Sequence, residues 1–208
     1  MPESAFLVTS FATLLVVIDP PGLIPLFIAL TQGMGAQQRR AIGLRACFIA
    51  ILLLTLFGLF GEAVLGFIGI SMSAFRIAGG ILLFLTALDM LFERRTQRRE
   101  GQIHDQQNDP SVFPLATPLI AGPGAIATMI LLVGQSGPGW GGTIAVHLLM
   151  IASVGICYLL FLIAGPIERA LGRTGTVVIT RLLGMLLAAL SVQFVIDGIR
   201  GTGLIATG

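Results

Sequence analysis

Asp19 is an ionisable residue in the middle of a long apolar run. It opens Asp19-Pro20-Pro21-Gly22, within IDPPGLI at residues 18–24. An ionisable side chain at membrane depth is a functional hypothesis by default, because a bare charge there is expensive. Two kinds of chemistry follow: Asp19 can pair with the ammonium of a solute, or it can carry a coupling proton. A third role is structural, with the carboxylate capping the N–H groups of the helix that follows it. The motif recurs as IAGPGAI at residues 120–126, where Gly122-Pro123-Gly124 repeats the proline and glycine and Ala121 stands in place of the acid. Helix geometry alone therefore does not demand a carboxylate at this point.

Proline lacks the helical N–H and clashes with the preceding turn. In hydrocarbon a broken helix is tolerated only where it is buried in protein or lines a cavity. Each motif is thus expected to end one half-helix and start another. Asp19 or Gly122 would serve as N-cap, and the following proline as first helical residue. The restarted half-helices point free N–H groups and the positive dipole end at the break, while the preceding ones offer carbonyls. Such a site suits a small zwitterion, its carboxylate held by backbone N–H groups. The substrate-site expectation covers Asp19, Pro20, Pro21, Gly22, Thr117, Gly122, Pro123, Gly124 and Gln193. Of the polar positions inside apolar segments (Thr13, Thr117, Ser191, Gln193), Thr117 and Gln193 are expected to face a cavity.

Arg76, Asp89, Arg181 and Asp197 are the remaining coupling or ion-pair candidates. Arg76 and Arg181 begin apolar segments at matching positions, in Arg76-Ile-Ala-Gly79 and Arg181-Leu-Leu-Gly184. Snorkelling to the interface explains them without function; pairing with Asp89 or Asp197 of the other half is the sharper reading. Asp197 with Arg200 forms an equally good local pair. Gly79 and Gly80 read as sites of close helix packing. There is no P-loop and no metal-ligand spacing, so no cofactor, metal or catalytic residue is expected.

The elements that must position these residues are membrane helices. The 208-residue chain is 55% hydrophobic and 11% charged, with mean hydropathy +0.97, against about 25% charged in soluble domains. A net charge of +2 argues for no nucleic acid partner; the lipid bilayer is the partner. Six segments near 5–32, 42–68, 74–92, 113–134, 143–165 and 178–199 are long and apolar enough to span. The first would be about 42 Å long if straight, more than a hydrocarbon core of about 30 Å, which a break absorbs. The N-terminus lacks a basic n-region, so it reads as a retained span rather than a cleaved signal.

All 12 basic residues are arginine. Arg39 and Arg40 lie between spans 1 and 2, Arg94, Arg95, Arg98 and Arg99 between 3 and 4, and Arg169 and Arg173 between 5 and 6. Positive loops stay cytoplasmic, which puts both termini on the periplasmic side; Arg200 dissents. Ile18 and Ile120 are offset by 102 residues, Arg76 and Arg181 by 105. Two three-span halves, 1–92 and 113–208, follow, joined by a polar cytoplasmic linker at 93–112. An odd span count inverts the second half. The expected fold is all-α: six transmembrane helices in two inverted three-helix repeats, helices 1 and 4 broken near the midplane.

IDPPGLIPLF, FRIAGGILLF, PLATPLIAGPGAI and RLLGMLLAALSVQFVIDGI together resemble the MarC family of bacterial inner-membrane proteins. The resemblance covers nearly the whole chain except 93–112, and Asp19–Gly22 and Gly122–Gly124 match the family pattern. It implies a six-span protein of the inner membrane. Some relatives are assigned as transporters of small neutral amino acids such as glycine and alanine, which implies a similar secondary carrier coupled to a proton or Na+. A homo-oligomer is compatible with this reading.

Three rival functions follow from other residues. A dithiol carrier needs a cysteine near each break, but Cys47 and Cys157 lie in spans 2 and 5. An intramembrane protease is suggested by Gly134-Gln135-Ser136-Gly137 and His147, which would have to lie within hydrogen-bond reach of one another. A non-transporting membrane component is the third.

Overall fold

A computed structural model describes residues 4–92 and 109–203. The linker expectation at 93–112 falls mostly outside these residues, as do the side chains of Arg169 and Arg173. Eight helical segments follow in order: α1 (Ser4–Ile18), α2 (Pro20–Leu30), α3 (Ala36–Ile68), α4 (Met72–Leu91), α5 (Ser111–Ile120), α6 (Pro123–Gln135), α7 (Trp140–Leu162) and α8 (Ala164–Gly201).

Among the described residues, five helical stretches are long and apolar enough to cross a membrane: Ser4–Leu30, Ala36–Ile68, Met72–Leu91, Trp140–Leu162 and Val177–Gly201. The pair α5 and α6, bent by 55°, adds a sixth if the two are one broken span. The protein is thus an all-helical, multi-pass membrane protein. Its periphery carries the expected apolar belt, with Phe48 65%, Leu52 61%, Phe67 94%, Leu148 60% and Leu186 58% exposed. Residues of this kind face lipid rather than water, and Trp140, 73% exposed at the start of α7, suits a membrane–water interface.

Local chemistry sets the ends. Ser71 caps α4 by accepting the Ala74 N–H at 3.1 Å, and α3 stops at Gly69, whose φ of +84° is left-handed. Two boundaries differ from expectation. Residues 166–171, taken as loop, are helical, and the chain turns at Gly172 (φ +60°) before span 6. The fourth span starts inside the expected linker. There Asp109 accepts the Ser111 N–H at 3.0 Å and its hydroxyl at 2.8 Å, and pairs with Arg45 of α3. The Ser111 hydrogen bonds first, and Arg45 beside them, hold the Asp109 carboxyl below its ordinary range.

The core gathers around α1, α2 and α6. Leu14, Ile18, Leu23, Leu26, Phe27, Met129 and Leu131 are among its fully or almost fully buried side chains. Around this centre, α3 packs on α7 and α4 packs on α8. Both pairs run antiparallel: Gly43 meets Phe161 while Gly58 meets His147, and Gly80 meets Ser191 and Val195 while Gly184 meets Ala87 and Met90. The α4–α8 crossing is the closest. A Cβ on Gly80 would lie 2.8 Å from the Ser191 carbonyl, and one on Gly198 would lie 3.0 Å from both the Ile77 nitrogen and the Ser73 carbonyl. Without a hydrophobic driving force between helices in lipid, such backbone approach supplies the packing.

Two outcomes follow. Gly80→Leu and Gly198→Leu should each destabilise by about 1–3 kcal/mol through overpacking, read as a lower melting temperature in detergent. Gly155→Leu, whose Cβ would meet nothing within 4 Å, should melt like wild type. The Asp109 contribution, from a carboxyl with a depressed pKa, is present above the ordinary carboxylate range and lost as pH falls through the folded pKa. Asp109→Asn should therefore flatten the acid limb of a melting-temperature-against-pH profile.

Candidate functional site

Asp19 sits between α1 and α2 and is fully buried. The residue before a proline is pushed out of the right-handed helical region, and Asp19 takes the left-handed one, at φ 56° and ψ 62°. It is the only positive-φ residue other than glycine among those described; aspartate tolerates this conformation better than most side chains. The helix is held together around it. The Asp19 N–H donates to the Leu15 carbonyl at 3.0 Å, and the Leu23 N–H donates to the Asp19 carbonyl at 3.2 Å. The carboxylate folds back to accept the Gly22 N–H at 3.2 Å. It also accepts from the Thr180 hydroxyl of α8 at 3.4 Å.

Gly22 is required for space. A Cβ there would lie 2.1 Å from Asp19 Oδ2, so any larger residue evicts the carboxylate from its cap. The capping role expected as a structural possibility is therefore real. It also corrects the expectation that both restarted helices offer free amides. Pro20 and Pro21 have no N–H, Gly22 donates to the Asp19 side chain and Leu23 to the Asp19 carbonyl. The start of α2 is already occupied by its own acid.

The second break is built differently. Gly122 caps α6 through backbone only, with no side-chain hydrogen bond. A Cβ on Gly122 would lie 2.6 Å from the Pro118 carbonyl, so this glycine too is a matter of room. The preceding α5 is a wide, π-type segment with extended backbone at Phe113 and Thr117, each just before a proline. With no acid to bridge the gap, the axis bends by 55° here, whereas α1 and α2 continue as one crossing. Gly124 is buried, and a Cβ there would lie 3.4 Å from Val17 and Leu83 and 3.5 Å from the Thr86 hydroxyl. Val17 is two residues before Asp19, so the α1 side of the first break abuts the start of α6.

Pro20 is buried and Pro21 half-buried at the first break; Gly122 is half-buried and Pro123 exposed at the second. Thr117 precedes Pro118, whose carbonyl lies against Gly122 at the second break, whereas Gln193 lies away from both breaks. Both are exposed, and Gln193 donates to Asp197 at 2.9 Å. It lies thirteen residues beyond Thr180 on α8, about 20 Å along the axis. The two residues expected to face a cavity are thus both exposed. Their apolar neighbourhoods in sequence concealed which face of the helix they occupy.

The antiparallel α4–α8 pair sets the charged candidates at two ends. Arg76 and Asp197 lie at one end and Asp89 and Arg181 at the other. Asp197 is engaged locally, with Gln193 and with Arg200 at 3.8 Å. Arg76 is half-buried, its Nε without a hydrogen-bond partner among the described residues. Buried polar residues that escaped the sequence reading include Thr180 beside Asp19, and Ser10 on α1 and Thr128 on α6. The last two are fully buried with hydroxyls that have no partner among the described residues. Thr180 is 161 residues from Asp19, and no local pattern links them.

Ser136 and His147 are each bonded to their own helix backbone. Ser136 donates to the Val133 carbonyl at 2.8 Å and His147 Nδ1 to the Thr143 carbonyl at 2.7 Å, while Nε2 faces Gly58. Cys47 and Cys157 are buried thiols on α3 and α7, unbroken helices.

Gly22→Ala should destabilise by about 1–2 kcal/mol, the loss of a helix cap, visible as a lower melting temperature. Gly66→Ala, with open space at its Cβ, should be neutral or slightly stabilising. Equal melting of the two variants would overturn the steric role given to Gly22.

Residues 4–202 match the model of the MarC family integral membrane protein. The chain is 39% identical to a UPF0056 membrane protein of Archaeoglobus fulgidus, over 94% of this chain and 92% of that one. It is 36% identical to a UPF0056 membrane protein of Methanocaldococcus jannaschii, over 94% and 97%. A UPF0056 membrane protein of Bacillus subtilis is 35% identical over 95% of each. No solved structure matches. The relatives are archaeal as well as bacterial, so the sequence likeness reaches beyond the bacterial inner membrane. The chain belongs to the MarC family of integral membrane proteins.

Proposed function

We propose that the protein is a secondary carrier for a small zwitterionic solute, with a neutral amino acid as the simplest case, bound between the two helix breaks. The observation that carries this reading is the buried Asp19 at one break, with its helix abutting the start of α6 at the other. The α6 N-terminus has no side-chain cap, so its amides and dipole suit the carboxylate of the solute. Asp19 supplies the negative group for the ammonium, or carries the coupling proton; Na+ is the other co-ion this chemistry admits. Opposite polarity at the two breaks is what a zwitterion requires.

The buried hydroxyls of Ser10 and Thr128, on the two helices that flank the breaks, support the same reading. Buried polar groups without protein partners are met by water or ligand. A repeat architecture is supported by which elements pack together. α3 packs on α7 and α4 on α8, each helix against its counterpart in the other half if 1–92 and 113–208 are inverted three-helix repeats. Alternating access then rocks the flanking pairs about the breaks near the midplane. In this arrangement the arginine-bearing loops are cytoplasmic and both termini lie on the opposite side. Ser136 and His147 are bonded to their own backbones, which favours a carrier over an enzyme.

Reconstituted protein should show saturable, substrate-specific uptake of small neutral amino acids into liposomes under a proton or Na+ gradient. Asp19→Asn should insert and melt close to wild type, because the amide oxygen can still accept the Gly22 N–H, yet reduce coupled uptake to the level of empty liposomes. Unchanged gradient-driven uptake by that variant would remove Asp19 from coupling. Absence of saturable flux for the wild type would favour a non-transporting membrane component.

A further inference from the structure

We propose that the cleft between α2, α3 and α7 is a binding site for an anionic phosphate group, presented by a membrane lipid or by soluble phosphate. The cleft has a volume of about 280 Å³ and is lined by Phe27, Arg39, Arg40, Tyr158 and Phe161 among others. It lies at the start of α3, away from the breaks, and does not depend on the carrier reading.

Its floor is a rigid stack. Phe27 and Phe161 are 1% and 4% exposed, with ring centroids 4.3 Å apart and planes within 9°. The Arg39 guanidinium carbon lies 5.6 Å from the centre of the Phe27 ring. A guanidinium held over an aromatic face loses less freedom when it binds an anion, since its plane is already oriented. Gly43 lies beside the floor: a Cβ there would meet both rings at 3.5 Å, an ordinary packing distance.

The charge in the cleft is uncompensated. Among the described residues no acid lines it and neither Arg39 nor Arg40 is in an ion pair. Arg45, further along the same helix, contrasts with them, because it has Asp109 as its partner. Two guanidinium groups in one cleft, Arg39 half-buried and Arg40 exposed, give it a positive field. Their forked donors match phosphate oxygens, and the half-buried Tyr158 hydroxyl adds a further donor. The size admits a headgroup phosphate but no acyl chain. Leu162, 40% exposed at the rim, continues into the apolar belt where acyl chains would lie. This favours lipid as the source.

The test uses the full-length protein in detergent, with its melting temperature followed against added phosphatidylglycerol, phosphatidylcholine or inorganic phosphate at constant ionic strength. Phosphatidylglycerol should raise the melting temperature of wild type and of the charge control Arg200→Gln, with phosphatidylcholine giving a smaller rise. The extra rise should disappear in the double variant Arg39→Gln/Arg40→Gln. Should that double variant fail to fold, Phe27→Leu, which removes the ring beneath Arg39, replaces it and should weaken the response. A variant-sensitive rise with inorganic phosphate would also support the site and assign it to the soluble ligand. Equal responses to the two lipids with none to phosphate, or a rise that survives in the variants, would overturn the proposal.

Discussion

A chain that crosses hydrocarbon has no water to satisfy a broken backbone, so every interruption of a helix must be answered within the protein. The carboxylate of Asp19 is that answer at the first break. Two consecutive prolines remove two helical donors, and the preceding residue is forced out of the right-handed region. Asp19 adopts the left-handed conformation, its carbonyl receives the Leu23 N–H, and its side chain receives the Gly22 N–H. The first crossing stays one element because of these bonds, and Gly22 has no side chain because the carboxylate occupies its place. The centre around α1, α2 and α6 depends on this arrangement. It lets a buried acid sit where an apolar residue would otherwise fill the core.

The second break lacks the acid and behaves differently. Ala121 offers no cap, Gly122 closes onto the Pro118 carbonyl, and the chain bends sharply between α5 and α6. The two motifs look alike as written because each carries proline and glycine. They diverge in three dimensions because one side chain, present at residue 19 and absent at 121, decides whether the backbone is bridged or turned. In the carrier reading the same asymmetry divides the work. One break supplies negative charge, and the other supplies the positive end of a helix.

Around that centre the rest of the bundle follows membrane rules. Small residues at Gly80, Gly184 and Gly198 let α4 and α8 approach backbone to backbone, which replaces the hydrophobic drive that lipid cannot provide. The outer faces are apolar and exposed. Arginine is used in two ways at the polar margins. Arg45 pairs with Asp109 and ties α5 to α3, whereas Arg39 lies over the Phe27 ring and Arg40 lines the same cleft, neither in an ion pair among the described residues.

Apolar runs and Pro-Gly motifs were sufficient to read the helices, their approximate ends and the location of both breaks, because hydrophobic length and the missing proline N–H are local properties. Asp19 as an N-cap, the restart at Pro20 and the close packing at Gly80 were legible for the same reason. The helical start of α8 was not, because its turn is delayed to Gly172, where a left-handed residue rather than composition ends the segment. The exposure of Thr117 and Gln193 was not legible either, because a polar residue in a span does not reveal which face it occupies. Only the packed bundle decided that Thr180 would reach Asp19 from 161 residues away, that Val17 would lie against Gly124, and that Phe27 and Phe161 would stack beneath Arg39. Contacts between distant segments depend on how helices cross, and crossing is set by the summed fit of many side chains rather than by any one stretch of sequence.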